Sequence, residues 1–221
     1  MKITYAATRV EKKGHSSVLQ NNKGFTLIEL AIVLVIIGLI LGSVLKGKDL
    51  INSAKQKQLY NAFVKTWELS IIAYYDRAGF LLGDGGDNGG TPAGTPNGVF
   101  DGNINSAAEF NRIDTALETK GLQVTETNTA TSYQYSFTGA YSGNQTVTLN
   151  LQNVTNYGLT NNTMRLLNVP TDLAYSLDKL IDGQVEATTG KCVLDGGAAG
   201  ATWGNASTQP TVTVAIRLDI P

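Results

Sequence analysis

One carboxylate lies inside a long apolar run, and its chemistry is the most informative in the sequence. Residues 25–45 read FTLIELAIVLVIIGLILGSVL, and Glu29 is the only charged residue among them. A carboxylate in a membrane segment costs a few kcal/mol to insert, so it needs either a partner or a position at the membrane interface. The residue types alone support these two interpretations of Glu29 equally.

A second set of polar side chains lies in a Gly-rich stretch, residues 83–105, which read GDGGDNGGTPAGTPNGVFDGNIN. Asp84, Asp87 and Asn88, together with Asp101, could supply oxygen ligands to Ca²⁺. The stretch is not an EF-hand, because a glycine occupies a ligand position and no Glu closes the loop. Turn chemistry explains the same residue types without a metal. The sequence therefore predicts either a set of turns or a Ca²⁺ site at Asp84, Asp87 and Asn88.

Other residues with catalytic chemistry are scarce. His15 and Cys192 are the only histidine and the only cysteine, too few for a zinc site, a His-based relay or an intrachain disulfide. We expect Cys192 to be a small, partly buried residue. Asp178 and Asp182 are four apart on a predicted helix and could pair, but beside Lys179 we interpret them as solvated surface charges. We predict that the protein is not an enzyme.

The apolar run must be helical to place Glu29 in a membrane. At about 1.5 Å per residue, residues 25–45 span roughly 30 Å, the hydrocarbon thickness of a bilayer. A helix satisfies its own backbone groups there. The alternative is a secretory signal, but the run is too long and no A-x-A-like site follows it. The sequence therefore predicts a transmembrane helix over residues 25–45.

The helical pattern continues beyond the membrane segment. Apolar and aromatic side chains recur at spacings of three and four, which is typical of one buried helix face. These residues are Tyr60, Phe63, Trp67, Ile71 and Tyr74. The first proline occurs only at position 92. We therefore predict one helix over residues 25–77, which ends at Ala78-Gly79.

Residues 78–221 are predicted to form a globular head. A capping box at Ser106 and Glu109 starts one helix, and alternating runs over 133–137 and 147–151 indicate an antiparallel hairpin. A second helix over residues 171–181 is expected to turn Leu173, Leu177, Leu180 and Ile181 inward, and a final strand contains Val212, Val214, Ile216 and Leu218. The predicted fold class is α+β, with the long helix packed against a small head that contains an antiparallel sheet.

Charge is unevenly distributed along the chain. Residues 1–24 contain five Lys or Arg and one Glu, whereas the rest contains twelve Lys or Arg and seventeen Asp or Glu. A weakly acidic body lacks the basic footprint of a nucleic-acid-binding protein, so no nucleic-acid partner is predicted. Basic residues flank the apolar run on both sides, so the positive-inside rule does not assign its orientation.

Residues 23–30, KGFTLIEL, closely resemble the processing site of type IV prepilins and type II secretion pseudopilins. The shared features are a short basic leader, Gly24 before the cut, Phe25 after it, and Glu29 as the fifth residue beyond it. An uninterrupted apolar helix follows, as in that family. The Gly/Asp-rich loop is also similar to loops found in some pseudopilin-like proteins.

The resemblance implies a processing pathway and a set of partners. A membrane-embedded prepilin peptidase would remove the cytoplasmic leader, residues 1–24, and methylate the new amine of Phe25. Glu29 would pair with the N-terminal amine of a neighbouring subunit. The partners implied are copies of the chain and related pilins in a helical filament, the inner-membrane assembly platform, and the lipid bilayer before assembly. The head would lie in the periplasm and then in a periplasmic or extracellular filament.

Three functions are consistent with these residues. The first is a structural filament subunit of a type IV pilus or a type II secretion pseudopilus. The second is a minor pilin whose Thr/Asn-rich head binds at a filament tip. The third is a single-pass anchored periplasmic protein that never polymerises. Glu29 favours the first two, because a simple anchor has no use for a charge at that position.

Overall fold

The N-terminal apolar run forms a helix. A computed structural model of the chain describes residues 24–92, 94–198 and 200–220. Helix α1 covers Leu27–Leu59, a π-helical turn covers Tyr60–Lys65, and α2 covers Thr66–Ala78. The helical segment Leu27–Ala78 has 52 residues and a most apolar window of mean hydropathy 2.8, so it is long and apolar enough to cross a membrane. The chain divides into two compact units between Lys48 and Asp49.

The π-helical turn was not predicted from the sequence. Thr66 Oγ1 donates a hydrogen bond to the carbonyl oxygen of Asn61, five residues back, at 3.0 Å. A π turn holds more residues than an α turn, so side chains four apart stay closer to one face. Leu59, Phe63 and Trp67 are accordingly all fully buried.

The long helix ends close to the predicted residue. Gly79 adopts the left-handed conformation, with φ of 73°, and donates its backbone N–H to Tyr75 O at 2.8 Å. This geometry caps the free carbonyls of the last turn and is most accessible to glycine. The Ala78-Gly79 end is therefore confirmed.

The head contains a six-stranded antiparallel sheet. The strands are β1 Asn103–Ile104, β2 Gln134–Gly139, β3 Gly143–Asn156, β4 Leu159–Pro170, β5 Cys192–Leu194 and β6 Thr211–Arg217. Their order is β1-β3-β4-β6-β5, and β2 also pairs with β3. The predicted β2–β3 hairpin and final strand are confirmed, and β6 lies inside the sheet between β4 and β5.

Strand β4 is the main element that the sequence interpretation missed. It pairs with β3 from Asn156↔Leu159 to Thr148↔Leu167. Tyr157 and Gly158 form the connecting turn with positive φ values of 51° and 79°. Two successive positive φ values are the geometry of a tight hairpin whose twist matches its strands. The usual sequence of such a turn is Asn or Asp before Gly. Here the first turn residue is a tyrosine, so this turn signal is missing from the sequence.

Two helices complete the head, α3 Ala107–Thr119 and α4 Thr171–Asp182. The predicted capping box is present, because Ser106 Oγ accepts from Glu109 N while Glu109 accepts from Ser106 N. In α4, Leu173 and Leu177 are fully buried as predicted. The prediction for Leu180 was wrong, since its side chain is exposed at the far edge of the buried face.

The core of the head packs one face of the π turn and α2 among side chains of the sheet and α3. Trp67 is central: its ring meets Phe110 edge-on at 5.8 Å, and its Nε1 donates to Ser132 O at 2.9 Å. Phe63 contacts Tyr135 with ring centroids 5.6 Å apart. The α+β fold, with a long helix and an antiparallel sheet, is thus confirmed.

Candidate functional site

The first turn of α1 contains the carboxylate singled out in the sequence. Glu29 Oε2 accepts hydrogen bonds from Thr26 N at 2.7 Å and Thr26 Oγ1 at 2.8 Å, while Glu29 N donates to Thr26 Oγ1 at 3.3 Å. This reciprocal pattern is a capping box, in which a Thr and a Glu three residues later satisfy free N–H groups at a helix start. Glu29 therefore fixes where the helix begins.

The capping role of Glu29 could have been predicted, because Thr-Leu-Ile-Glu at residues 26–29 fits the capping-box pattern. The cap does not neutralise the carboxylate. Within residues 24–92, 94–198 and 200–220, no cationic group lies within ion-pair distance of Glu29. Both donors to Glu29 are neutral groups of Thr26, so its negative charge remains available to a cation from another molecule.

The helix around Glu29 exposes apolar side chains in every direction. Each residue from Gly24 to Lys46 is solvent-exposed, and the exposed fractions of Phe25 and Leu27 are 82% and 88%. A helix that is apolar all round belongs in a lipid or protein environment. Gly38 and Gly42 lie on this segment, and no atom comes within 4 Å of where their Cβ atoms would be. Both glycines are thus open to close approach by another helix.

The same segment matches one protein-family model. The prokaryotic N-terminal methylation motif matches residues 19–45, which contain the apolar run and Glu29. This motif, with prepilin-type cleavage and methylation, is typical of type IV pilins and pseudopilins. The matched residues make up a small part of the chain, so it is this N-terminal segment that resembles pilins and pseudopilins. No curated protein and no solved structure matches the chain.

The motif has two direct consequences. Proteins with this motif are structural components and not enzymes. The motif and the apolar helix together indicate a membrane-anchored prepilin. The function must therefore be sought in anchoring, assembly and binding surfaces.

The Gly/Asp-rich loop uses its carboxylates to bind its own backbone. Asp84 is 1% exposed, and its oxygens accept from Asn97 N at 3.0 Å and from Gly98 N at 2.6 Å. Asp101 Oδ2 accepts from Gly85 N at 2.7 Å and from Thr91 N at 3.2 Å. These bonds organise the loop by the turn chemistry that was the alternative to a metal site.

Glycine is required where the loop approaches the Asp101 carboxylate. A Cβ added to Gly94 would lie 2.2 Å from Asp101 Oδ2, and one added to Gly90 would lie 2.8 Å from the same atom. Both distances are too short for any side chain. Close packing around a carboxylate thus explains the glycines at positions 90 and 94.

The other predicted calcium ligands also have defined positions. Asn88 Oδ1 accepts from Tyr74 Oη at 2.9 Å, and Asn88 Nδ2 donates to Asp84 O at 2.8 Å. Asp87 is exposed, and burial, followed by the charge of Asp87, raises the pKa of Tyr74. The described residues contain no group of three or more His, Cys, Asp or Glu side chains placed to hold a metal ion. The Ca²⁺ site stays a prediction.

The interpretation of Asp178 as a solvated surface charge was wrong. Asp178 is fully buried, and its Oδ2 accepts from Trp203 Nε1 at 2.8 Å and from Glu186 N at 2.7 Å. Trp203 follows Asp178 by 25 residues, so helix periodicity gives no signal for this contact. Cys192 was expected to be partly buried and is fully buried, and burial raises the pKa of its thiol well above the usual range.

Proposed function

We propose that this chain is the precursor of a filament subunit, either of a type IV pilus or of a type II secretion pseudopilus. The single observation on which this rests is the combination of the methylation motif with an unneutralised Glu29 at the start of a fully exposed apolar helix. A prepilin peptidase would cut between Gly24 and Phe25 and methylate the new amine. The helix would lie in the bacterial inner membrane, with the head in the periplasm, before assembly.

The chemistry of Glu29 supports an assembly role over a purely local one. The capping bonds from Thr26 use Oε2, and within the described residues no donor is bonded to Oε1. A charged amine is therefore the group that would complete this site. In a medium without water, an opposite charge at contact distance interacts far more strongly than in water. Pairing Glu29 with the Phe25 amine of a neighbouring copy would fix the axial register of each added subunit.

The experiment must separate the charge of Glu29 from its capping function. Glu29→Gln keeps a side-chain oxygen for the Thr26 N–H, since Gln also occupies this position in capping boxes, but it removes the charge. Glu29→Val removes both. We expect both variants to be processed and retained in the membrane at wild-type level, yet to form no filaments, because the buried amine of the neighbour would lose its partner at a cost of about 3–5 kcal/mol.

Surface filaments would be counted by electron microscopy after shearing, in strains with only the substituted chain, with the membrane level of the chain as control. Normal filament numbers with Glu29→Gln would show that Glu29 only caps the helix and that its charge is not needed for assembly. Gold labelling of wild-type filaments distinguishes the related functions. Label along the whole length indicates a major subunit, label at the tip indicates a minor binding subunit, and label confined to the membrane indicates an anchor.

Processing is tested independently by mass spectrometry of the chain's N-terminus. We expect the mature chain to begin at methylated Phe25. Gly24→Val should leave the uncleaved precursor in the membrane, because a branched side chain at that position hinders the cut. A wild-type chain that still begins at Met1 in cells with an active prepilin peptidase would contradict the processing proposal.

A further inference from the structure

A buried carboxyl group near the end of α4 has one oxygen without a partner. Asp178 Oδ2 accepts two N–H groups, from Trp203 and Glu186, whereas Asp178 Oδ1 is buried without any hydrogen-bond partner among the described residues. A buried, ionised carboxylate with an unsatisfied oxygen is costly. The structure therefore raises the question of what satisfies Oδ1.

No cation faces Asp178 in the described part of the chain. The titratable groups near it are Asp182, one turn further along α4, and the thiol of Cys192 on β5. Lys191 lies directly before Cys192 in sequence, but its ammonium group bonds to Glu68 and Asp219. The surroundings of Asp178 are therefore neutral or negative.

Both carboxylate oxygens of Asp182 already accept hydrogen bonds. Its Oδ1 accepts from Lys191 N at 3.0 Å, and its Oδ2 accepts from Cys192 N at 2.8 Å. These two bonds fasten the end of the loop formed by residues 183–191 to α4. The fit is tight, because a Cβ on Gly190 would lie 2.5 Å from Asp182 Oδ2. Both oxygens of Asp182 are therefore already occupied as acceptors, and the oxygen of the pair without a partner is Asp178 Oδ1.

We infer that Asp178 is protonated in the folded head and that its Oδ1–H donates to the carboxylate of Asp182. One proton, taken up from solvent on folding, gives Asp178 Oδ1 a partner and leaves a single negative charge. That charge is stabilised by the two backbone N–H groups bonded to Asp182. Two like-charged carboxylates one helical turn apart, one of them fully buried, cannot both ionise without a cost, and sharing a proton avoids that cost.

The direction of the Asp178 pKa agrees with this geometry. Burial raises the pKa of Asp178, and the nearby Asp182 raises it further. The hydrogen bonds from Trp203 and Glu186 lower this pKa, but the net change is a rise. A carboxyl group whose pKa is raised on folding stabilises the fold below its unfolded pKa, and that stability is lost as pH rises through the folded pKa. The attachment of the loop 183–191 to α4 therefore weakens as pH rises.

The test uses the full-length chain in detergent and the isosteric Asp178→Asn variant. The introduced amide would accept from Trp203 and Glu186 with its oxygen and donate to Asp182 with its nitrogen, so the variant reproduces the protonated state permanently. Infrared difference spectra, wild type minus variant, are expected to show a carboxylic-acid C=O band at about pH 7. The melting temperature of Asp178→Asn should exceed that of wild type by a margin that is smallest at about pH 4 and grows as pH rises.

Asp182→Asn is the matched comparison, since it makes the same Asp-to-Asn change at the other residue of the pair. The amide introduced there has one acceptor oxygen for two backbone donors, so we expect the melting temperature of this variant to fall by about 2–4 °C at neutral pH. Absence of the carboxylic-acid band in the difference spectrum would overturn the inference. A stability gain of Asp178→Asn that does not change with pH would also overturn it, because that result requires Asp178 to be ionised throughout.

Discussion

The first and last parts of the long helical segment are both rich in apolar residues, yet they differ in what covers those residues. From Gly24 to Lys46 every residue is exposed, whereas Phe63, Trp67, Ile71 and Tyr74 are completely buried within the head. The later part has a polar face as well as an apolar one, so the chain itself can cover it. The early part has no polar face, and only lipid or other chains can cover it. Stability of the head and competence for assembly should therefore respond to different substitutions.

The largest expected contrast comes from truncating one large side chain in each part. Trp67→Ala should lower the free energy of unfolding by about 3–5 kcal/mol, because it leaves a cavity between α2 and α3 and removes the bond to Ser132. Leu39→Ala, in the exposed apolar part, should leave the free energy of unfolding unchanged. Thermal melting of the full-length chain in detergent, followed by near-ultraviolet circular dichroism, measures both. Equal losses would mean that the head does not fold independently of the apolar part.

A smaller effect is expected from the two ion pairs of Glu68 on α2, one with Lys65 and one with Lys191, the residue before β5. Burial raises the pKa of Glu68, but bonds from Lys191 and Lys65 outweigh it and leave this pKa below its usual value. Such a carboxylate stabilises the fold above its unfolded pKa, and the gain is lost as pH falls through the folded pKa. Glu68→Gln should therefore cost about 1–3 kcal/mol at neutral pH and progressively less toward acid pH.

The measurement for Glu68 is the melting temperature across a pH series for wild type and variant. Glu126→Gln is a suitable control, because Glu126 is exposed and has no ion pair in the part of the chain that the structure describes. A difference between Glu68→Gln and wild type that stays constant down to acid pH would show that the charge contributes nothing. Residues 24–46, the exposed apolar part, contain no ion pair whose titration could change stability in this way.

The smallest expected effect concerns calcium. If Asp84, Asp87 and Asn88 bound Ca²⁺, a roughly hundredfold excess over the dissociation constant would add about 2.7 kcal/mol to the stability. Because Asp84 and Asn88 are already bonded within the head, we expect the full-length chain to melt at the same temperature in Ca²⁺ and in chelator. A higher melting temperature in Ca²⁺ would instead support the metal site, and Asp84→Asn should then remove the increase.

Local rules predicted those elements whose signals lie within a few residues. The capping box at Ser106, the apolar stripe through Trp67 and the end at Gly79 each depend on neighbours in sequence, and each was confirmed. The capping role of Glu29 has an equally local signal at Thr26, but it was overlooked because the carboxylate was considered only as a charge. The fold class followed from these elements together with the β2–β3 hairpin.

The features that were missed depend on contacts between distant residues. Strand β4 is held by β3 on one side and β6 on the other, and its own sequence, LTNNTMRLLNVP, lacks a clean alternation. The burial of Asp178 requires Trp203 from a loop that follows much later. Periodicity along a single helix contains no information about such partners, so a buried acid next to Lys179 looked like a surface charge.

The hydrogen-bonded Gly/Asp loop has a consequence for resistance to proteolysis. A Gly-, Asn- and Pro-rich stretch of this length is ordinarily the first place that a protease cuts, since cleavage requires an extended and accessible backbone. Here residues 81–85 and 88–90 are buried, and Asp84 and Asp101 bind four backbone N–H groups of the same loop. The buried part of the loop is thereby withheld from proteases, whereas residues 95–98 are exposed.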